Sequence, residues 1–139
     1  MKNIIFILFS SIGLLANDKL PEGFVYLSDV DSSIILEMRY VTSHNFVGEK
    51  IDGYLCGECI LTEAAADSLV KVQQTLLQFG LSLKIYDCYR PQKAVDHFVA
   101  WAEDVSDTAM KREFYPQVDK SKLFDEGYIA ERSGHSRGS

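Results

Sequence analysis

The sequence predicts a single domain of the α+β class, and two of its features support this prediction. Apolar residues alternate with other residues in two stretches, as they do along β-strands, whereas two further stretches repeat apolar residues every three or four positions, as amphipathic helices do. The joins between these stretches are short, which favours helices packed on a sheet. A chain of 139 residues is long enough for one domain and too short for two ordinary ones.

Residues 1–16 have the order of a secretory signal peptide: a positive charge at Lys2, an apolar run from Ile4 to Ala16 and a small residue at its end. The run is shorter than the ~20 residues that span a bilayer, and no cysteine follows it to carry a lipid. We therefore expect cleavage near Ala16 and a periplasmic mature chain, residues 17–139, without stable membrane association. A buried N-terminal strand or helix is the alternative interpretation.

The first predicted strand and the first predicted helix flank a loop. Apolar residues at every second position predict a strand over residues 34–40, and the asparagine, aspartate and glycine residues of positions 42–53 are typical of a loop. Thr62 can cap a helix that runs to Phe79 and stops at Gly80. The apolar stripe that we expect to pack on the sheet consists of Ala65, Leu69, Val72, Leu76 and Phe79.

The second predicted strand leads directly into the second predicted helix. Alternation from Leu81 predicts a strand that ends at Arg90, because Pro91 cannot donate a hydrogen bond to the ladder. A helix is expected over residues 92–105, and the polar segment 108–128 is expected to be helical or irregular. The apolar side of the second helix consists of Ala94, Val95, Phe98, Trp101, Ala102 and Val105.

Composition and charge exclude two broad classes of protein. Apolar residues make up 47% of the chain and charged residues 24%, which is the composition of a globular protein and not of a disordered one. The net charge is −6, and no basic run is longer than Lys111-Arg112. A nucleic-acid partner is therefore not expected.

The three cysteines are best interpreted in the light of the predicted export. Cys56 and Cys59 form a lone C-x-x-C in a loop, without the second pair that a zinc finger needs. The preferred interpretation is two loop cysteines that are oxidised together in a secreted protein. A thiol–disulfide protein that uses this pair is the alternative. Cys88 lies in the second predicted strand and is expected to be a buried thiol.

One candidate for chemistry is the stretch Asp87-Cys88-Tyr89-Arg90-Pro91, where a strand delivers an acid and an arginine to its own end. Strand ends on a rigid sheet position side chains well. The guanidinium of Arg90 offers fixed, permanently charged donors to a carboxylate or a developing oxyanion. The alternative is a structural ion pair between Asp87 and Arg90 that locks the turn from strand to helix.

A second candidate is Ser133-x-His135-x-x-Gly138 near the C-terminal end of the sequence. A neutral imidazole in a glycine-rich loop can approach a metal ion closely. From spacing alone, an exposed histidine without a role is the alternative. His44 and His97 are weaker candidates, in the first loop and in the second predicted helix.

Taken together, these stretches resemble the zinc-dependent D-alanyl-D-alanine dipeptidases, the group that includes the vancomycin-resistance dipeptidase. The resemblance extends from about Val25 to Ser139, and the last stretch fits the pattern S-x-H-x-x-G-x-A-x-D as far as the sequence goes. The matching stretches, in order, are Arg39-Tyr40-Val41-Thr42 with Asn45-Phe46-x-Gly48, Asp52-Gly53-Tyr54, Asp87-x-Tyr89-Arg90-Pro91-Gln92 and Ser133-x-His135-Ser136-Arg137-Gly138-Ser139.

The resemblance implies a fold like that of the hedgehog signalling domain and related peptidases, and hydrolysis of the dipeptide D-Ala-D-Ala in cell-wall turnover or nutrient recovery. It implies that His135 is the first ligand of one zinc ion per complete domain, and that Arg90 stabilises the tetrahedral intermediate. Other matched positions would line or support the substrate pocket: Ser133, Tyr128, Asp87, Tyr40 and Tyr54.

The resemblance also implies ligands that this sequence does not contain. The aspartate of the family pattern would fall beyond Ser139, and the family's base and third ligand lie in a later E-x-x-H stretch. A catalytic zinc ion needs three protein ligands. We therefore interpret residues 17–139 as the N-terminal part of such a domain, incomplete at its C-terminal end. The alternative is a non-catalytic truncated remnant that at most binds wall peptides.

Overall fold

Residues 19–139 are described by a computed structural model, in which short strands and helices alternate along the chain. The predicted signal peptide, residues 1–16, lies outside the described residues. The strands are β1 (Phe24–Tyr26), β2 (Ile35–Leu36), β3 (Ile60–Thr62) and β4 (Lys84–Ile85). The α-helices are α1 (Leu27–Val30), α2 (Glu63–Leu77), α3 (Gln92–Glu103) and α4 (Lys111–Phe114). The predicted α+β class is confirmed.

The strands form two small sheets instead of the single sheet expected. β1 pairs with β3 in antiparallel register, and β2 pairs with β4 in parallel register. Strands β2 and β4 are shorter than the two strands predicted from the sequence, over residues 34–40 and from Leu81 to Arg90. The chain turns into a 3₁₀ helix at Arg39–Val41, and the amide of Cys88 donates to the side chain of Asp87, at 3.0 Å, instead of to a neighbouring strand. Local hydrogen bonds therefore end the ladder before the apolar alternation ends.

Helix α2 begins as predicted, but its buried side differs from the predicted stripe. The side chain of Thr62 accepts from the amide of Ala65 at 3.3 Å and caps the helix. Val72 and Phe79 are 47% and 73% exposed, whereas Gln73 is fully buried. The side chain of Gln73 donates from Nε2 to the carbonyl of Ser33 and accepts at Oε1 from the backbone amide of Leu83. Burial of a polar residue is tolerated because these bonds satisfy it, and they tie α2 to the strands.

Helix α3 fits its prediction closely. The five apolar residues predicted inside the helix are buried, and Val105 lies beyond its end and is exposed. Four of them, all but Val95, belong to a first apolar cluster, here called the α3 cluster. Its buried members are Val47, Ile51, Tyr54, Ala94, Phe98, Trp101, Ala102, Tyr115, Leu123 and Ile129. The segment 108–128 contributes to this cluster with only short helical turns, as expected.

A second apolar cluster lies between α2 and the strands and contains a disulfide. Its buried members are Leu27, Ile34, Cys59, Leu61, Ala66 and Cys88. We call it the cystine cluster. The segment 87–90 connects the two clusters, because Cys88 belongs to the cystine cluster and Arg90 packs on Phe98 of the α3 cluster.

The structure corrects the predicted cysteine pairing. Cys59 is bonded to Cys88, with 5.1 Å between their Cα atoms, and Cys56 is free and exposed. Both bonded residues are buried. Cys59 directly precedes β3, and the segment that contains Cys88 lies beside β3, because the amide of Tyr89 donates to the carbonyl of Ile60 at 3.0 Å. Two segments distant in sequence thus meet side by side, and neither the C-x-x-C spacing nor the apolar alternation reveals that contact.

Among residues 19–139, no helix is long and apolar enough to cross a membrane.

Candidate active site

The turn that carries His135 is hydrogen-bonded to two segments of the chain, the end of β3 and the segment that follows β4. Ser133 precedes a 3₁₀ helix, Gly134–Arg137, and its side chain accepts from the amide of His135 at 3.2 Å. On one side, the amide of Arg90 donates to the carbonyl of His135 at 3.2 Å. On the other, the amide of Thr62 donates to the carbonyl of Gly138 at 2.7 Å.

Gly138 is required at the end of this turn. Its φ is +68°, and a Cβ atom there would lie 2.6 Å from Cε1 of Phe24. A side chain would therefore meet both backbone strain and a clash with β1. The glycine of the S-x-H-x-x-G pattern is explained by this close approach.

Asp87 is the centre of the hydrogen-bond network. Its Oδ1 accepts from the hydroxyl of Tyr54 at 2.7 Å and from the amide of Cys88 at 3.0 Å. Its Oδ2 accepts from Nη2 and Nε of Arg90 at 2.7 and 3.0 Å. The carboxylate is only 7% exposed, so these four donors compensate a charge that would otherwise be costly to bury. The ion pair expected as the structural alternative for this stretch is therefore present.

Arg90 is held by more than its ion pair. The centre of its guanidinium lies 5.0 Å from the ring of Phe98 and 5.6 Å from the ring of Tyr40. Burial opposes its charge, but the carboxylate of Asp87 outweighs burial, and the pKa of Arg90 lies above its usual value. A guanidinium has five N–H donors. Asp87 takes two of them, which leaves others for a ligand.

Tyr54 reaches Asp87 from the loop before β3. Its ring is buried in the α3 cluster, 5.5 Å from the ring of Tyr40. Burial, together with the negative charge of Asp87, raises the pKa of Tyr54 far above its usual value. The phenol is therefore protonated at neutral pH and donates its hydrogen bond to Asp87.

Removing this hydroxyl tests how strongly the network depends on it. We expect Tyr54→Phe to lower the free energy of unfolding by about 2 kcal/mol, because a buried carboxylate loses a charge-assisted hydrogen bond. Denaturant unfolding measures the change. Tyr86→Phe is the matched control, since Tyr86 is 41% exposed and its hydroxyl has no hydrogen bond among the described residues. Equal losses in the two variants would contradict the role given to Tyr54.

The imidazole of His135 joins the same network. Its Nδ1 lies 2.9 Å from the carbonyl oxygen of Cys88 and 3.6 Å from Oδ2 of Asp87. A carbonyl oxygen only accepts, so Nδ1 carries a proton and, in the neutral ring, Nε2 carries the lone pair. The side chain is 49% exposed. His135 is thus exposed, as the alternative interpretation expected, but its ring is hydrogen-bonded to the segment 87–90.

A cavity of about 230 Å³ opens beside this network. Three of the predicted pocket residues, Tyr40, Tyr128 and Ser133, line it together with Arg90. Phe46 and Phe98 add apolar wall, and Arg132 adds a second guanidinium. The volume is below the ~300–1,000 Å³ of pockets for drug-sized molecules, which indicates a small ligand. The lining contains two cations and no carboxylate among the described residues, which favours an anionic group on that ligand.

Comparison with known proteins identifies the family. Residues 21–139 match a family model described as D-Ala-D-Ala dipeptidase. The chain belongs to the D-Ala-D-Ala dipeptidase family. The recognition made from the sequence motifs is confirmed.

Individual members of the D-Ala-D-Ala dipeptidase family are similar along most of this chain. A D-alanyl-D-alanine dipeptidase from Streptomyces coelicolor is 38% identical over 115 residues, which cover 83% of this chain and 57% of that protein. One from Enterococcus faecium is 34% identical over 84% of this chain and 58% of its own length. One from Enterococcus faecalis is 36% identical over 86% of this chain and 59% of its own length. The chain thus spans less than two thirds of these relatives.

The D-Ala-D-Ala dipeptidase family is a metallopeptidase family, and one described side chain fits the role of a metal ligand. The supported Nδ1 of His135 leaves Nε2 for a metal, as in many metal-binding histidines. Within residues 19–139, however, no three histidine, cysteine, aspartate or glutamate side chains cluster around a common point. The described residues therefore do not form a three-ligand site, and His135 is a candidate for one ligand.

Four residues that line the cavity, Tyr40, Arg90, Tyr128 and Ser133, were predicted from the sequence as site residues, and others were not. Phe46, Phe98 and Arg132 line the cavity, but Phe98 carried only the signal of a core residue and Arg132 carried none. The neighbouring Phe46 stood in a family motif without an assigned role. The weaker candidates contact other partners: His97 accepts from the amide of Asp52, and His44 pairs with Glu113.

Proposed function

We propose that the protein to which this chain belongs is a zinc-dependent dipeptidase that hydrolyses D-Ala-D-Ala in the periplasm, in cell-wall turnover or nutrient recovery. Family membership supports the reaction, and the relatives are named for that activity. Because the chain spans 57–59% of the relatives' length, the activity of the whole protein is a proposal.

The observation that carries the proposal is the placement of Arg90. Its guanidinium lines the cavity, is fixed by Asp87 and two aromatic rings, and keeps unused N–H donors. The oxygen of an amide is nearly neutral in the substrate and becomes anionic when water adds. A fixed cation aimed at that oxygen binds the transition state more strongly than the substrate.

His135 is the residue of this chain that would hold zinc, through Nε2. The other ligands would come from parts of the protein outside the described residues. Zinc, when bound, would supply the polarisation of the scissile carbonyl. The chain's own contribution is to keep the proton of His135 on Nδ1, by way of the Cys88 carbonyl, and to present Arg90 to the substrate oxygen.

The size and charge of the cavity support a small substrate with a free carboxylate. Arg132 lines the cavity, is exposed, and is absent from the ion pairs of the described residues. The charge of Arg90, in contrast, is largely balanced by Asp87. Arg132 is therefore the better partner for the C-terminal carboxylate of a dipeptide.

We expect Arg132→Gln to raise KM for D-Ala-D-Ala about five-fold and to leave kcat almost unchanged, as the loss of an exposed charge pair of ~1 kcal/mol would do. Steady-state kinetics on the complete protein measure both constants. Arg112→Gln is the control, since Arg112 is exposed on α4 away from this cavity. An unchanged KM in Arg132→Gln, or an equal rise in the control, would remove Arg132 from the substrate site.

The activity itself is tested by release of D-alanine from D-Ala-D-Ala by the complete protein, with L-Ala-L-Ala for comparison. A chelator should abolish release and zinc should restore it. No release by folded, zinc-supplied protein would favour the non-catalytic remnant, which family membership does not favour. The thiol–disulfide alternative loses its basis, because Cys59 is buried and bonded to Cys88 and not to Cys56.

A further inference from the structure

The disulfide lies directly under the network that holds His135. Cys88 stands between Asp87 and Arg90 in sequence, and its Sγ is bonded to the buried Cys59. Its carbonyl, on the same residue, accepts from Nδ1 of His135 at 2.9 Å. Cys88 therefore carries both the disulfide and the carbonyl that supports the imidazole of His135.

The segment 87–90 has few other attachments to the sheets. β4 ends at Ile85, and beyond Tyr86 the backbone leaves the ladder with β2. Towards β3, the backbone contact is the single hydrogen bond from the amide of Tyr89 to the carbonyl of Ile60. The disulfide is thus the strongest tie between this segment and β3, where the His135 turn is also docked through Thr62.

We propose that the Cys59–Cys88 disulfide is a positioning element of the site, which sets the Cys88 carbonyl that keeps the proton of His135 on Nδ1 and the lone pair on Nε2. The importance of that lone pair for a metal rests on the proposed function. The placement of the proton does not, because it follows from the contact between Nδ1 and the carbonyl alone.

The tautomer of His135 is a diagnostic readout of this support. A histidine ring in water prefers the proton on Nε2, whereas a carbonyl at Nδ1 requires it on Nδ1. If the disulfide fixes that carbonyl, its loss moves the ring towards the solvent preference. A disulfide that only stabilises the domain would lower its melting temperature and leave the tautomer unchanged.

The experiment records the side-chain nitrogen resonances of His135 by NMR in metal-free buffer, about two pH units above the usual histidine pKa of ~6.5. The wild-type protein should show mainly the Nδ1–H tautomer. In the double variant Cys59→Ala/Cys88→Ala, measured below its melting temperature, most of the His135 rings should be in the Nε2–H tautomer. Cys56→Ala is the matched control and should keep the wild-type tautomer, because Cys56 is free and exposed.

Reduction of the wild-type protein by a phosphine provides a second measurement without any substitution, and it should give the same shift, reversed on reoxidation. An unchanged tautomer in the folded double variant or in the folded reduced protein would overturn the proposal. Loss of the folded spectrum in both would also overturn it, since the disulfide would then hold the domain and not the site. The readout needs neither zinc nor substrate, so its outcome is independent of a failure to hydrolyse D-Ala-D-Ala.

Discussion

Replacing Arg90 by alanine is expected to lower kcat of the complete protein about 10²–10³-fold, the usual cost of removing one donor to a developing oxyanion. The fixed guanidinium at the cavity wall is the reason, since Asp87 accepts from only two of its five N–H donors and a substrate oxygen in the cavity can accept from the others. Arg90→Lys should recover only part of the rate, because an ammonium group is a compact point charge and cannot reproduce the planar fork that binds Asp87 with two parallel donors.

The same substitution should also lower stability, because it leaves the buried carboxylate of Asp87 without its cation. The expected loss in the free energy of unfolding is about 3 kcal/mol. The catalytic and structural roles are separated by measuring kcat on protein that is folded at the assay temperature, next to denaturant unfolding. Arg39→Ala is a suitable control, since Arg39 is also ion-paired and partly buried, with Glu37, but does not line the cavity.

A normal kcat in a destabilised Arg90→Ala variant would assign the residue to structure alone. In that case Asp87→Ala should give a similar loss of stability and an equally normal kcat. A lowered kcat in the Arg39 control would show that the assay reports unfolding and not chemistry.

Loss of the disulfide is expected to lower the free energy of unfolding by about 3–4 kcal/mol, the chain-entropy value for a loop of this size. The two cysteines are 29 residues apart in sequence, and both are buried in the cystine cluster. Urea unfolding of Cys59→Ala/Cys88→Ala, next to wild-type protein with and without a reductant, measures the effect. The reductant should destabilise the wild-type protein and have no effect on the double variant.

Cys56→Ala provides the comparison for this second prediction, and its stability should match that of the wild-type protein. If the sequence-based pairing of Cys56 with Cys59 were correct in solution, Cys56→Ala would be destabilised and Cys88→Ala would not. The two single variants therefore decide between the pairing expected from the sequence and the one in the structure.

The elements with a long, local periodicity are the ones that the sequence predicts best. Helix α3 was predicted almost to its ends because five buried apolar residues share one side. Helix α2 was predicted in position, but its orientation depends on Gln73, whose burial requires partners at Ser33 and Leu83 that no local pattern shows. The strands were predicted too long, because the apolar alternation continues past the point where the backbone amide of Cys88 donates to the side chain of Asp87 instead of to a neighbouring strand.

The site was predicted in its parts and not in its arrangement. The motifs singled out Asp87, Arg90 and His135, and the structure places all three in one network. The disulfide beneath that network was missed, because a contact between Cys59 and Cys88 depends on how two distant segments pack. Arg132 was missed for the same reason: only the folded chain shows which side of the turn faces the cavity.

The position of segment 87–90 between the two apolar clusters has a consequence for folding kinetics. The hydrogen bond from Tyr54 to Asp87 closes a separation of 33 residues, and that from His135 to Cys88 closes one of 47. Such non-local contacts form only after the entropy of loop closure has been overcome. The helices can form early from local contacts, whereas the network around Asp87 can assemble only when both clusters have condensed. We therefore expect the side chains of the site to reach their final arrangement among the last events of refolding.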